Sequence, residues 1–133
     1  MTSTAISFGF TKLVVADLDR AERFYREVFG MASLHRIVAE DHAFPLEEIV
    51  MELPGGKGGH KLLLVHYLTR PCPPPGAVWI GFSVNDLPET LLAVEAQGGR
   101  VEVPLHENAE HRVLAAIAAD TEGHLIEVIQ ILG

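Results

Sequence analysis

The segment Phe10-Thr11-Lys12-Leu13-Val14-Val15-Ala16-Asp17-Leu18-Asp19-Arg20-Ala21-Glu22-Arg23-Phe24-Tyr25-Arg26-Glu27-Val28-Phe29-Gly30-Met31 changes its hydrophobic period once. The β-branched centre at Leu13-Val14-Val15 predicts a strand over 8–16, and Asp17 turns the chain out of it. Ala21, Phe24, Tyr25, Val28 and Phe29 then fall on one face of a helix over about 19–29. Asp19 and Glu22 have the spacing of a capping box, and Gly30 is placed to stop the helix. Downstream, three strands are expected at roughly 32–39, 47–53 and 61–68. The turn Pro54-Gly55-Gly56-Lys57-Gly58-Gly59 separates the last two. The unit reads as strand, helix, three strands.

The same unit then returns. Arg70-Pro71-Cys72-Pro73-Pro74-Pro75-Gly76 is a stiff extended linker near the middle of the chain. A strand at 77–84 runs into Asn85-Asp86-Leu87-Pro88, and Pro88 suits the first turn of a helix. Leu87, Leu91 and Val94 form that helix's buried stripe, and Gly98-Gly99 stop it. Strands follow at roughly 100–105, 112–119 and 124–131. Val15-Ala16-Asp17-Leu18 matches Val84-Asn85-Asp86-Leu87 at an offset of 69 residues, and the same offset sets Phe29-Gly30 on Gly98-Gly99. Agreement of strand, cap, helix length and stop marks a duplication. Neither half buries both faces of its sheet alone, so the halves are expected to pair. The predicted fold is α+β: two βαβββ modules, about 6–69 and 77–132, joined by the linker 70–76 in one domain over 1–133.

Composition narrows the function. The chain has 133 residues, 48% hydrophobic and 21% charged, as suits a globular protein. Its net charge of −8 repels phosphate backbones, so nucleic acid is excluded as an expected partner. No apolar run reaches the ~20 residues that span a bilayer, and the N-terminus lacks the pattern of a secretory signal. The single cysteine, Cys72, rules out an intrachain disulfide and a multi-cysteine zinc site. The expected compartment is reducing and cytoplasmic.

The opening segment resembles the first module of the vicinal oxygen chelate proteins, which include glyoxalase I, extradiol dioxygenases, fosfomycin-resistance enzymes and bleomycin-binding proteins. Asp120-Thr121-Glu122-Gly123-His124-Leu125-Ile126-Glu127-Val128-Ile129-Gln130 is similar to the family's closing strand. The resemblance covers nearly the whole chain. It implies two βαβββ modules whose sheets curl around a shared cavity, and a homodimer as the default assembly, with the modules closing either within the chain or across the dimer.

The resemblance also implies four ligand positions in metal-binding members, one on the first and one on the last strand of each module. The first-strand position lies seven residues before the Asp of the strand-to-helix turn. Here those positions hold Phe10 and Trp79, which offer no metal donor. On the last strand of module two the position holds Glu127. Aligning Gly59-His60 with Gly123-His124 gives Leu63 as its counterpart in module one; a slip by one residue gives Leu64. Three of four positions are apolar, and a catalytic zinc, nickel or iron site keeps at least three protein ligands. No cofactor is expected, a divalent metal at Glu127 having only that one ligand.

Strand alternation places Phe10, Lys12 and Val14, then Trp79, Gly81 and Ser83, then Leu125, Glu127 and Ile129 on the cavity face. The expected cavity is apolar and aromatic, with Lys12, Ser83 and Glu127 as its polar groups. Two readings stand for Lys12 and Glu127: a salt bridge to each other, or function, with Glu127 as general base and Lys12 holding an anionic group. Two also stand for Phe10 and Trp79: cavity filling, or a stacking pair for a planar ligand. The seven histidines show no paired ligand spacing and read mostly as surface, turn or strand-edge residues. Only His42 and His66 are candidates to approach the cavity, His66 with Glu127 as a relocated metal site.

The expected function is metal-independent binding of a small apolar or planar compound, lined by Phe10, Trp79, Ser83, Leu63 and Val14. The alternative is a glyoxalase-like lyase, isomerase or epimerase that uses Glu127 as base with Lys12 as stabiliser. Whether the chain is an enzyme stays open at this level.

Overall fold

The computed structural model describes residues 3–41, 43–55 and 59–133. His42 and the centre of the Pro54–Gly59 turn therefore lie outside the described residues. The element order is β1 (Phe10–Val14), α1 (Leu18–Phe29), β2 (Ala32–Ala39), β3 (Leu46–Glu52), β4 (Lys61–Tyr67), β5 (Trp79–Ser83), α2 (Leu87–Ala96), β6 (Arg100–Asn108), β7 (Val113–Ala119) and β8 (Leu125–Ile131). They form two four-stranded sheets, ordered β1-β4-β3-β2 and β5-β8-β7-β6. In each sheet the first and last strands of the module run parallel, and the other neighbours are antiparallel. This is the predicted α+β architecture of two βαβββ modules. Among the described residues no helix is long and apolar enough to cross a membrane.

Both helices start on an aspartate with extended backbone. Asp17 accepts from the Arg20 N–H at 3.0 Å, and Asp86 accepts from the Glu89 N–H at 3.1 Å. Each satisfies a backbone donor that the helix cannot pair. The cap of α1 is thus Asp17 and not Asp19, whose carboxylate binds Arg36 at 2.8 Å. Asp17 wins because it directly follows the extended residues, where a cap must sit. α1 ends at Gly30, with φ +72°, but α2 ends at Gly98, with φ +90°. The second helix, closing at Ala96 with Gln97 as its cap, stops two residues earlier than the offset of 69 requires, and the left-handed glycine comes one residue earlier. Gly99 is then needed for close approach: a Cβ there would stand 2.4 Å from the Ala119 carbonyl oxygen and 2.9 Å from Phe24.

The helices and the inner sheet faces share one apolar core. Leu13, Val15, Phe24, Tyr25, Leu62 and Leu64 of module one join Leu87, Val94, Ala116, Ile126 and Val128 of module two. Phe29 and Phe82 stack across the module boundary with centroids 3.9 Å apart. Leu13 and Val15 face this core, while Phe10 and Lys12 lie on the opposite face, as the alternation of β1 predicts.

β1 and β5 are edge strands. The Val15 N–H donates to Val65 and the Val84 N–H to Ile129. In a parallel ladder, one set of alternate residues bonds the neighbour and the other set turns its N–H and C=O away. Phe10, Lys12 and Val14 therefore present their backbone groups to the free edge of β1, and Trp79, Gly81 and Ser83 to that of β5.

Candidate functional site

The registers settle which residues occupy equivalent places. Lys12 pairs with Leu63 on β4, and Gly81 pairs with Glu127 on β8. Lys12 and Gly81 are themselves 69 residues apart, so Leu63, not Leu64, is the counterpart of Glu127. The four positions that the resemblance implies for a metal hold Phe10, Leu63, Trp79 and Glu127. One carboxylate and three side chains without donors do not fit a metal ion. Among the described residues, no group of three or more His, Cys, Asp or Glu side chains is placed to hold one. His66 donates from Nδ1 to the Val15 carbonyl at 3.1 Å, which ties it to the end of β1.

The expected polar pair does not form. Lys12 Nζ lies 2.9 Å from Glu48 Oε1 on β3, and Glu48 is buried. Glu48 is the partner because β3, adjacent to β4, brings it to the same outward face; Glu127 belongs to the other sheet. Leu63, the register partner of Lys12, is buried. Lys12 and Val14 border a hollow of about 190 Å3 against Pro73, Pro74 and Pro75 of the linker. Glu127 stands exposed on β8, opposite Gly81 and Ile117. Phe10 is 56% exposed and Trp79 53%, and neither ring contacts another aromatic ring among the described residues. The structure thus leaves Lys12, Val14 and Leu63 on one sheet, and Trp79, Ser83 and Glu127 on the other.

What joins the modules is a buried polar latch. The Tyr25 hydroxyl on α1 donates to Asp120 Oδ2 at 2.7 Å. His124 Nδ1 lies 2.9 Å from the same oxygen, and His124 Nε2 lies 3.1 Å from the Val14 carbonyl at the free edge of β1. Glu122, in the same turn, accepts from the N–H groups of Ala16 and Asp17, each at 2.8 Å. Burial pushes Asp120 toward the neutral form, but its bonds from His124, Tyr25 and the Glu122 N–H outweigh this and lower its pKa. Burial likewise opposes a charge on His124, yet Asp120 and the Val14 carbonyl raise its pKa above 6.5. Burial first, then the charge of Asp120, holds the Tyr25 hydroxyl well above 10.0.

Among the described residues the pseudo-symmetric place carries no such latch. His60 is the counterpart of His124, but Gly56 and Gly58 stand in sequence where Asp120 and Glu122 do, and Val94 where Tyr25 does. His60 turns to its own module instead. Its Nδ1 lies 3.0 Å from the Phe8 carbonyl and its Nε2 2.6 Å from Thr11 Oγ1, and its ring stacks on Phe8. A carbonyl only accepts, so the ring donates from Nδ1 to Phe8.

Where the second latch is missing, a cleft of about 540 Å3 opens between module one and the free edge of β5. Six consecutive residues, 78–83, form one wall. Met31 and Leu62 line the apolar side of module one, and Thr11, Glu52, His60 and Lys61 supply its polar groups. Of the expected site residues, Trp79 and Ser83 line this cleft. Phe10, Lys12, Val14, Leu63 and Glu127 do not. Thr11 and His60 escape a motif search because they lie 49 residues apart. The one sequence signal for His60 is the repeated Gly-His pair.

Comparison with known proteins agrees with this architecture. A glyoxalase family protein from Bacillus cereus superposes with a TM-score of 0.84 at 21% identity, covering 98% of this chain and 97% of that one. A glyoxalase family protein from Enterococcus faecalis gives 0.71 at 16% identity, covering 93% and 97%. A point mutant of glyoxalase I from Zea mays gives 0.78 at 18% identity, covering 93% of this chain and 45% of the maize chain. No curated protein is significantly similar in sequence. The model of the Glyoxalase/Bleomycin resistance protein/Dioxygenase superfamily matches residues 7–128, both modules included. With the duplicated βαβββ topology and a family match over nearly its full length, the chain belongs to that superfamily.

Proposed function

We propose that this protein binds a small, mostly apolar molecule without a metal, in the cleft between β5 and module one. The observation that carries the reading is the cleft itself. Its volume of about 540 Å3 and its apolar walls with a few polar groups are those of a small-molecule site. Trp79 at its rim provides a face for a planar ligand. The donor set at the family's metal positions supports the metal-independent form of the reading.

The lyase or isomerase alternative asks for Glu127 as base beside the bound compound. Glu127 is not among the cleft's lining side chains, so binding is the better supported reading. The partner in assembly is a second copy of the chain, and the compartment is the cytoplasm. A thermal-shift screen of small planar and apolar fragments, with Trp79 emission as second readout, tests the site. Ligands that raise Tm are expected to change the emission of Trp79, the chain's single tryptophan. Stabilising fragments that all leave Trp79 emission unchanged would retire the cleft. Stoichiometric zinc, nickel or iron in the purified protein would overturn the metal-independent reading.

A further inference from the structure

The turn 120–124 of module two grips module one at four atoms: the Val14 carbonyl, the N–H groups of Ala16 and Asp17, and the Tyr25 hydroxyl. A separate contact joins the modules on their helix side, where α1 packs on α2 and Phe29 stacks on Phe82. The grip depends on one proton. His124 turns Nδ1 to the Asp120 carboxylate and Nε2 to the Val14 carbonyl, and both partners only accept. A neutral ring has a single N–H. The carboxylate, the stronger acceptor, keeps it, and the Nε2 lone pair is left against the Val14 oxygen. Loss of the proton thus turns an attachment into a repulsion. The closed turn carries a second cost: the Thr121 hydroxyl is buried with no hydrogen-bond partner among the described residues. Asp120 and Glu122 on its own turn favour the charged ring, and Tyr25 from α1 shares Asp120 with it. From β1, Lys12 borders the same hollow, with its ammonium paired to Glu48. From the linker, the Cys72 thiol lies beside the Val14 carbonyl, its pKa raised by burial and by Glu122.

We propose that His124 is a proton-operated catch between the modules: the imidazolium holds turn 120–124 closed on β1, and the neutral imidazole lets it go. On release the modules hinge about the α1–α2 contact, and each keeps its own sheet. The hollow of about 190 Å3 between β1, His124 and Pro73–Pro75 then opens. This is a local opening, distinct from unfolding of the whole chain. The bonds to Asp120 and Val14 raise the pKa of His124 above 6.5, so the catch is closed at acid pH and releases as pH rises through the folded value.

The isotope-labelled full chain is followed by NMR from about pH 5.5 to about pH 9.5, with the His124 ring resonances and backbone amide exchange read in the same samples. After division by the intrinsic exchange rate at each pH, protection of the Ala16 and Asp17 N–H groups is expected to fall at least about fivefold, with its midpoint at the ring's own titration. The Val84 N–H, bonded to Ile129 within module two, and the Leu64 N–H, in the core, are expected to change less than about twofold. In His124→Gln, whose side chain does not titrate, the step at Ala16 and Asp17 is expected to vanish. If circular dichroism shows that variant unfolded, the match of the two midpoints in the unsubstituted chain decides alone. Protection at Ala16 and Asp17 that stays level while the ring titrates overturns the catch. A fall shared equally by Val84 and Leu64 is whole-molecule unfolding and overturns it too. So does a step that persists in folded His124→Gln, or a ring that keeps one protonation state over the whole range.

Discussion

His124 has an acceptor at each ring nitrogen, the Asp120 carboxylate and the Val14 carbonyl, and only the imidazolium donates to both. Its pKa is raised above 6.5 in the folded protein, so the stability that it contributes is complete below 6.5 and is lost as pH rises through the folded value. The pKa of Asp120 is lowered below 3.8, so its share is complete above 3.8 and is lost as pH falls through the folded value. The latch is therefore strongest between those limits. His124→Gln is expected to destabilise the protein by about 3 kcal/mol near about pH 5.5, and by less near about pH 9. Urea unfolding of both proteins at the two pH values checks this, and a difference independent of pH would show that the ring is uncharged. The residue types were legible in Asp120-Thr121-Glu122-Gly123-His124, but the chain's histidines read as surface or turn groups. Burial of His124 depends on Val14, 110 residues away.

At the scale of elements, the two helices and their connections are nearly interchangeable, and the difference lies at their ends. Gly30 holds a left-handed conformation in open space, whereas Gly99 holds ordinary backbone in a space with no room for a methyl group. Gly30→Ala is expected to cost about 1 kcal/mol, through backbone strain alone. Gly99→Ala is expected to cost at least about 2 kcal/mol, because the Ala119 carbonyl and the Phe24 ring must both move. Midpoints of urea denaturation compare the two, and a Gly99→Ala cost no larger than that of Gly30→Ala would contradict the packing described. Each helix and strand among the described residues was anticipated from periodicity and turn residues, with no strand end displaced by more than three residues. The displaced cap, Asp17 in place of Asp19, shows the limit. Asp19 has the capping-box spacing to Glu22 and Asp17 does not, yet the path of β1 selects Asp17.

At the scale of the molecule, the core lies on the helix side, and the opposite sheet faces and the N-terminal segment keep large apolar side chains exposed. Ile6, Phe8, Phe10, Trp79 and Ile131 all remain more than half exposed. Large apolar side chains left this exposed favour association, and in a homo-oligomer the two-fold dimer is the commonest solution. Sedimentation is expected to give twice the mass of the 14.5 kDa chain at micromolar concentration, and Ile131→Lys on β8 to shift it toward the monomer. A monomer at every concentration up to about 100 μM would remove the second copy from the proposed function.

The sequence by itself determined the elements, their duplication and the chemical character of the family's metal positions, since local periodicity, turn residues and aligned motifs carry that information. It also assigned the two faces of β1, β5 and β8, because a strand's side chains alternate whatever packs against them. Only the tertiary structure decided which charges meet. Lys12 found Glu48, because adjacent strands β3 and β4 carry it there, and not Glu127 on the other sheet. Only the tertiary structure placed the cleft as well. The duplicated fold has two such places between modules; among the described residues one is latched, and in sequence the counterparts of Asp120 and Glu122 in module one are glycines. Docking on one side and an opening on the other is a property of how two rigid halves pack, and no local stretch of sequence encodes it.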